Sequence, residues 1–283
     1  MREFNNKVAV VTGGANGVGR ALGAVLAERG ARVVLTDINA ERLEETAAEL
    51  RKKGGDVSGI AADVTSADSV DRLADAVFQK YGAAHLLFNN AGVGIGDMRV
   101  PFWELPTKDW RFGYDVHVMG AVHGIRAFVP RMIRSGEDGF VVNTTSSNGA
   151  LTSSPATPIY ASSKAALASL TEVLRDQLKQ HAPQIKVGLL FPGPSLVNTG
   201  LLNSPRSDAY VDPANPPMAG RPMSALAERM GGIKMTEPED VAAFAVACIE
   251  KEQFWMLPEG SDTTALQRRC ADIVARVVTP PGG

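Results

Sequence analysis

The stretch that decides the fold is residues 7–19, which read Lys7-Val8-Ala9-Val10-Val11-Thr12-Gly13-Gly14-Ala15-Asn16-Gly17-Val18-Gly19. Its apolar run predicts a buried strand over Lys7–Val11, and a helix is predicted to begin at Gly17. Glycines between a strand and a helix let the backbone approach a pyrophosphate, and the free N–H groups at the helix start attract the anion. This context predicts a dinucleotide-binding turn. The alternative is a glycine-rich turn that binds nothing.

The remainder of the chain alternates apolar runs with amphipathic stretches. The predicted strands are Lys7–Val11, Arg32–Leu35, Val57–Ala61, Leu86–Phe88, Phe140–Asn143, Ile185–Leu190 and Phe254–Leu257. The predicted helices are Gly17–Arg29, Ala40–Lys53, Ser66–Tyr81, Lys108–Arg134, Ile159–His181, Pro238–Lys251 and Thr263–Val277. This alternation predicts an α/β protein with a central, mostly parallel seven-stranded sheet covered on both faces. We expect a three-layer doubly wound Rossmann-like fold, in a single domain over residues 1–283.

Residues 198–235 interrupt the alternation and are predicted to form a substrate-binding loop after the sixth strand. This segment contains Pro205, Pro213, Pro216, Pro217, Met218, Pro222, Met223, Met230 and Met235. Long loops in compact domains are commonly lids or binding loops, and flexible methionines suit an adaptable apolar pocket. The alternative is a surface insertion with no role.

Composition narrows the function classes. The 283 residues carry a net charge of −2, and the scattered Lys and Arg argue against a nucleic-acid partner. No apolar run approaches the ~18 residues of a membrane span, and the N-terminus has no apolar signal core. Cys248 and Cys270 form no C-x-x-C pair, which argues against disulfides and against a metal site. We expect a cytoplasmic protein without membrane or metal partners.

Asp37 ends the second strand, about 20 residues beyond the glycine turn. A carboxylate there can accept hydrogen bonds from the adenosine ribose hydroxyls and would repel a 2′-phosphate. Neither residues 15–16 nor residues 38–40 contain an Arg or Lys that could neutralise such a phosphate. The sequence therefore favours NAD over NADP. The alternative is a carboxylate that only caps the helix at Ala40.

Tyr160 and Lys164 are four residues apart in a predicted helix, so their side chains share one face. A phenol titrates near ~10, and a neighbouring ammonium favours the phenolate and lowers that pKa. The pair is a candidate general acid/base at neutral pH. The alternative is an exposed pair on a surface helix.

Together these motifs resemble the short-chain dehydrogenase/reductase family, from Lys7 to about Ala275. The resemblance also uses Asp63-Val64, Asn89-Asn90-Ala91-Gly92 and Pro192-Gly193. It implies hydride transfer between NAD and a carbonyl or alcohol carbon. The cofactor contacts that it implies are Gly13, Asn16, Gly17, Val18, Gly19, Asp37, Ile38, Asp63, Val64, Asn90, Ala91, Gly92, Tyr160, Lys164, Pro192, Gly193, Val197 and Thr199.

The resemblance also assigns catalytic roles. Tyr160 would exchange the proton, Lys164 would lower its pKa, and a serine would polarise the substrate oxygen. Ser147 lies thirteen residues before Tyr160, which is the family spacing. Ser146 is the competing neighbour, because adjacent strand side chains point to opposite faces. The spacing favours Ser147.

Two positions depart from the family pattern. His117 stands where the family has an Asn that holds a water linking the lysine to solvent. Histidine titrates near ~6.5, so our hypothesis is that His117 is a catalytic proton relay. The alternative is that the position has drifted and activity is reduced. After Pro192-Gly193 the chain has two extra residues, which leaves open whether Thr199 reaches the carboxamide.

The substrate pocket is predicted to be apolar. Its candidate lining residues are Val93, Ile95, Met98, Phe102, Trp103, Leu151 and Thr152, with the loop 198–235. They favour an aryl, cyclic or steroid-like secondary alcohol or ketone. The alternatives are a non-catalytic NAD(H)-binding or sensing protein, and an epimerase or dehydratase. Family resemblance further suggests a homotetramer or homodimer built on the helices Lys108–Arg134 and Ile159–His181.

Overall fold

The computed structural model describes residues 1, 3–95, 100–204, 206, 210 and 222–276. One sheet of seven strands organises these residues, in the order β3-β2-β1-β4-β5-β6-β7, and every neighbouring pair is parallel. The strands are β1 Val8–Thr12, β2 Arg32–Thr36, β3 Val57–Gly59, β4 Leu86–Asn89, β5 Gly139–Thr144, β6 Ile185–Leu190 and β7 Trp255–Met256. The predicted doubly wound fold is confirmed.

Helices cover both faces of this sheet. They are α1 Gly17–Glu28, α2 Ala40–Lys52, α3 Ala67–Tyr81, α4 Thr107–Tyr114, α5 Gly120–Ser135, α6 Ser147–Ala150, α7 Pro158–His181, α8 Met223–Arg229, α9 Pro238–Glu250 and α10 Thr264–Ala275. Among these described residues, no helix combines the length and apolar character needed to cross a bilayer.

The apolar strands are explained by burial on both sides. Along β1, Ala9 and Val11 face a core that includes α1, α2 and α9, whereas Val8 and Val10 face a core that includes α3, α5 and α7. Because side chains alternate along a strand, a strand between two helical layers needs apolar residues at every position. This is why β1 is a continuous apolar run.

Three local features differ from the predictions. The helix predicted over Lys108–Arg134 is interrupted by a π-turn, Asp115–Met119, in which the Gly120 N–H donates to the Asp115 carbonyl. A single wide turn of this kind needs tertiary support and has no clear local sequence signal. Within residues 198–235, the short helix α8 buries Met223 and Ala227, so part of this segment is regular. The third strand ends at Gly59, two residues before its predicted end.

Some predicted pocket residues fall outside the described part of the chain. These are Met98, Pro205, Pro213, Pro216, Pro217 and Met218.

The chain order reverses between β1 and β4, which lie side by side at the centre of the sheet. In doubly wound sheets, ligands bind beyond the carboxyl ends of the strands at this switch point. The glycine turn after β1 and the Asn90–Gly92 turn after β4 both lie there.

Candidate active site

A cavity of about 1020 Å³ opens at the carboxyl ends of the strands. All of the predicted cofactor contacts, from the glycine turn to Thr199, line it. So do Ser146 and Ser147, whereas His117 lies behind the wall. The fold thus brings together residues as far apart in the chain as Gly13 and Thr199, which are separated by 186 positions.

The glycine turn is shaped to admit a ligand against the backbone. Gly13 and Gly17 have φ values of +67° and +52°, which favour residues without a Cβ. A Cβ on Gly19 would lie only 2.0 Å from the Gly13 carbonyl oxygen. The turn therefore exposes backbone N–H groups at the start of α1, an arrangement that fits a pyrophosphate.

Thr12 joins this turn to the turn after β4. Its hydroxyl accepts the N–H groups of Asn90 and Ala91, each at 2.9 Å, and donates to the Phe88 carbonyl. The Asn90 amide donates to the Thr12 carbonyl at 3.0 Å. These bonds hold the two walls of the cavity at a fixed separation.

Asp37 lies at the edge of the cavity beside the glycine turn. Its carboxylate accepts the N–H groups of Ala15 at 3.2 Å and Asn39 at 3.1 Å. The cap of α2 is Asn39, whose side chain accepts the Arg42 N–H. The helix thus has its own cap, and the capping alternative for Asp37 is not what the geometry favours.

Asp63 and Val64 form the next wall of the cavity. The Asp63 carboxylate accepts the Thr65 N–H at 2.9 Å and the Thr65 hydroxyl at 2.7 Å. The Val64 carbonyl accepts the ring N–H of His123 at 2.9 Å. This wall is braced by its own hydrogen bonds.

Tyr160 and Lys164 lie at the inner end of the cavity, on α7. The Lys164 amine donates to the Thr144 carbonyl at 2.8 Å and lies 5.8 Å from the centre of the Tyr160 ring. Burial lowers the pKa of Lys164 to about 7. Burial also raises the pKa of Tyr160, and a hydrogen bond with Ser146 opposes that rise. Burial thus opposes the lowering of the tyrosine pKa that was expected from Lys164.

Geometry selects Ser146 as the partner of Tyr160. The Ser146 side chain lies close enough to the Tyr160 phenol to lower its pKa, whereas the Ser147 hydroxyl is enclosed by protein and has no hydrogen-bond partner among the described residues. Ser146 also accepts the Asn148 N–H as the cap of α6. This arrangement favours Ser146 over Ser147, which the thirteen-residue spacing had selected.

The turn after the serines fixes this arrangement. Gly149 has a φ of +118°, and a Cβ there would lie 2.3 Å from the Ala161 carbonyl oxygen. The turn therefore packs directly against the backbone of α7, next to Tyr160. The Asn148 side chain donates to the Thr157 hydroxyl at 2.8 Å and accepts the Ser154 N–H, which closes the loop between Ser146 and Tyr160.

The segment after β6 crosses the cavity. Thr199 lies against the glycine turn, 3.0 Å from the place that a Cβ on Gly17 would occupy. Val197 pairs with Thr236 in an isolated bridge. Thr199 therefore lies beside the start of α1.

An ion pair ties this segment to the opposite wall. Arg206 binds Asp109 of α4 at 2.6 Å, and both side chains are largely buried. Tyr210 donates to the Asp115 carboxylate at 2.7 Å. Arg206 and Asp109 are 97 residues apart, so no local sequence pattern could have found the pair.

The family follows from sequence comparison of this site and its surroundings. The family profile described as short chain dehydrogenase matches residues 7–209. The chain belongs to the short-chain dehydrogenase family. It is accordingly an oxidoreductase that binds a nicotinamide dinucleotide.

Two curated relatives of this short-chain dehydrogenase are themselves named as dehydrogenases. The chain is 38% identical over 207 residues, 73% of each chain, to the 1-deoxy-11-beta-hydroxypentalenate dehydrogenase of Streptomyces avermitilis. It is 36% identical over 189 residues to a C alpha-dehydrogenase of a Sphingobium species, covering 66% of this chain and 60% of that one.

Solved structures of family members hold either nicotinamide cofactor. A short chain dehydrogenase/reductase from Burkholderia phymatum in complex with NAD is 35% identical, with a TM-score of 0.87 and full coverage of both chains. A metagenomic short-chain oxidoreductase in complex with NADP is 26% identical, with a TM-score of 0.68, covering 90% of this chain and 96% of that one.

The substrate half of the cavity is mostly apolar, as predicted for this short-chain dehydrogenase. Its lining includes Val93, Ile95, Leu105, Phe112, Val116, Thr152, Leu202, Met223, Leu226 and Met230. Three other candidates lie elsewhere. Phe102 and Trp103 are 60% and 83% exposed, and Leu151 is buried beneath β6.

The two serines provide a direct test of the site. We expect Ser146→Ala to lower kcat roughly 10²–10³-fold, because it removes a donor aimed at the reacting oxygen. Ser147→Ala should change kcat less than about threefold, because its hydroxyl makes no contact that is lost. Steady-state kinetics of both variants decides between them. A larger loss in Ser147→Ala would restore the choice made from spacing.

Proposed function

We propose that this protein is an NAD-dependent dehydrogenase of apolar cyclic or aryl secondary alcohols, and of the matching ketones. The observation that carries the proposal is the convergence of Tyr160, Ser146 and Lys164 in the cavity that begins at the glycine turn. A proton-exchanging phenol and a hydrogen-bond donor beside a dinucleotide cleft are what carbonyl–alcohol interconversion requires.

Tyr160 and Ser146 would have separate roles in the reaction. When bound, the nicotinamide takes up or supplies the hydride. In oxidation, Tyr160 accepts the hydroxyl proton of the alcohol, and in reduction it returns that proton to the oxygen. Ser146 donates a hydrogen bond to the same oxygen and stabilises the charge that develops there. Both residues line the same cavity, and Ser146 lies close enough to the Tyr160 phenol to lower its pKa.

Lys164 contributes through the charge of its amine, which lies near Tyr160. Its pKa of about 7 lets the amine carry a proton near neutral pH. An ammonium there favours the phenolate form of Tyr160, one turn earlier on α7. Burial opposes that form and favours the protonated phenol, which is the form that reduction requires.

The substrate class is inferred from the walls of the cavity. Aliphatic and aromatic side chains dominate the substrate half, and the Arg206–Asp109 pair neutralises itself. Such a surface suits a bulky apolar ring system, aryl, cyclic or steroid-like. The names of the two relatives, a 1-deoxy-11-beta-hydroxypentalenate dehydrogenase and a C alpha-dehydrogenase, support this class.

We expect NAD to be preferred over NADP by roughly 10²-fold in kcat/KM, because Asp37 would face the 2′-phosphate with a like charge. Asp37→Ser should lower the ratio of kcat/KM with NAD to kcat/KM with NADP by at least about tenfold. The matched control is Asp68→Ser, an exposed acid at the start of α3. Parallel kinetics with both cofactors measures the ratio. A wild-type enzyme that prefers NADP would contradict this assignment.

The decisive experiment is a screen of aryl, cyclic and steroid alcohols and ketones with NAD(H), in both directions. We expect turnover of at least one apolar secondary alcohol and loss of that turnover in Ser146→Ala. NADH binding without turnover of any compound would instead favour a sensing protein. Cofactor that stays bound through purification, with net redox turnover absent, would favour an epimerase or dehydratase.

The proposal includes the arrangement of the whole protein. Residues 1–283 would act as one catalytic domain, with residues 198–235 as the substrate-binding loop. The contacts of Arg206 and Tyr210 with α4 and the π-turn support the role of that loop. We also propose a cytoplasmic homotetramer or homodimer built on α5 and α7, where Val173 is 55% exposed.

A further inference from the structure

His117 lies at the centre of the π-turn that separates α4 from α5, and it is 1% exposed. Both of its ring nitrogens have protein partners. Nε2 lies 3.0 Å from the Val93 backbone nitrogen, and Nδ1 lies 2.8 Å from the Ser163 hydroxyl. The wide turn thus places one imidazole between the turn after β4 and helix α7.

These partners determine where the ring proton resides. A backbone N–H can only donate, so Nε2 must accept from Val93 and cannot be protonated. The proton is therefore on Nδ1, which donates to Ser163, and Ser163 donates in turn to the Tyr160 carbonyl at 3.0 Å. The chain of hydrogen bonds ends on an amide oxygen, which does not pass a proton onward.

The imidazole also touches the catalytic groups. Its ring meets the Tyr160 ring edge to face, with centroids 5.3 Å apart and planes at 85°. A Cβ on Gly92 would lie 3.6 Å from both His117 Nε2 and the Lys164 amine. His117 therefore contacts the cofactor turn, the Tyr160 ring and, through Ser163, the Tyr160 backbone.

We propose that His117 is a positioning residue that fixes Tyr160 against the Gly92–Val93 turn as a neutral Nδ1–H imidazole, and that it does not relay protons. The inference rests on the proposed role of Tyr160. It replaces the relay hypothesis, because a relay needs a ring nitrogen open to water and both nitrogens are occupied. The shorter amide of an asparagine could accept from Val93, but it would not also span to Ser163.

The charges around the ring favour the neutral form. Burial, and then the nearby Lys164, lower the pKa of His117 well below its usual value. Lys164 and Tyr160 face it from α7, and Val93 presents only its backbone. Asp115 in the same π-turn is bonded to Tyr210. The usual stabiliser of an imidazolium, a facing carboxylate, is thus engaged elsewhere.

Nitrogen-15 NMR of the full-length protein tests the protonation state without any substrate. We expect a single Nδ1–H tautomer from pH 5.5 to 8.5, with slow exchange of that proton with water. Titration of His117 near neutral pH, or an Nε2–H tautomer, would overturn the proposal. Because this measurement needs no turnover, it decides the point even if the proposed dehydrogenase function fails.

Kinetics of variants separates positioning from relay. We expect His117→Asn and Ser163→Ala each to lower kcat roughly 10–100-fold through misplacement of Tyr160, while the pH at which kcat changes stays the same. A relay in which histidine stands in for the family asparagine predicts full activity for His117→Asn. That result, or a shifted pH profile in Ser163→Ala, would contradict positioning. If His117→Asn fails to fold, the Ser163→Ala result decides.

A second buried histidine is the matched control. His85 also accepts a backbone N–H, that of Val8 at 3.0 Å, and its other nitrogen meets Glu137 at 2.8 Å. It lies at the opposite end of the strands from the cavity. We expect His85→Asn to lower the melting temperature and leave kcat and its pH profile unchanged. A comparable kcat loss there would mean that the effect at His117 is general destabilisation.

Discussion

Tyr160→Phe should lower kcat/KM for alcohol oxidation by roughly 10²–10⁴-fold, the range associated with a lost general acid/base. The substitution removes only the hydroxyl. Phenylalanine keeps the ring volume and the edge-to-face contact with His117, so the fold and the dinucleotide cleft should be preserved. NADH affinity, measured by fluorescence titration, is expected to stay within about threefold of wild type. Retention of more than about a tenth of the activity would exclude Tyr160 as the proton-exchanging group.

A second tyrosine serves as the control for this substitution. Tyr81 shares a hydrogen bond with Ser58 at 3.1 Å, away from the cavity. Tyr81→Phe likewise removes one phenolic oxygen, and it should leave kcat unchanged. The raised pKa of Tyr160 also predicts how the wild-type reaction rates depend on pH. Oxidation, which needs the deprotonated phenol, should gain rate as pH rises, and reduction, which needs the protonated phenol, should lose rate at high pH.

Gly19→Ala should weaken NADH binding by roughly 100-fold or more. A Cβ at this position would lie 2.0 Å from the Gly13 carbonyl oxygen and 2.9 Å from the Asn90 amide nitrogen. The backbone must move to relieve these contacts, and the N–H groups aimed at the pyrophosphate move with it. Loss of two charge-assisted hydrogen bonds, about 1.5–3 kcal/mol each, accounts for the expected change. Calorimetric titration with NADH measures it.

A milder substitution keeps this prediction testable if Gly19→Ala does not fold. A Cβ on Gly17 would meet the end of the Thr199 side chain at 3.0 Å, which can shift, although the φ of +52° adds strain. Gly17→Ala should therefore fold and still bind NADH more weakly. Gly54→Asn is the control, because no atom lies within 4 Å of its Cβ position and asparagine tolerates positive φ. If Gly19→Ala and Gly17→Ala both bound NADH with wild-type affinity, the glycine turn would be excluded as part of the cofactor site.

The parts of the candidate site that the sequence could place together are those encoded locally. The glycine turn directly follows β1, and Tyr160 and Lys164 lie one turn apart on one helix, so spacing along the chain carries their geometry. Asp37 is equally local, at the end of β2. Each of these could be read without knowing the rest of the fold.

The parts that sequence missed depend on tertiary structure. Counting residues selected Ser147, but the loop between the serines and Tyr160 is closed by Asn148, and Gly149 packs against α7, which leaves Ser146 at the tyrosine. The π-turn around His117 adds a residue to a helix without a local marker. The Arg206–Asp109 pair needs two distant segments to meet.

The buried amine of Lys164 also affects the thermal stability of the protein. Its amine is buried with one carbonyl partner, and within the described residues no carboxylate pairs with it. Its pKa of about 7 lies far below the ~10.4 of an unfolded lysine, so burial destabilises the folded state most below about pH 7. That cost shrinks as the pH rises from about 7 toward ~10.4, because the folded state has then already released the proton. Selection for melting temperature alone should therefore favour replacement of Lys164, and under the proposed function the heat-resistant variants that it yields should have lost activity.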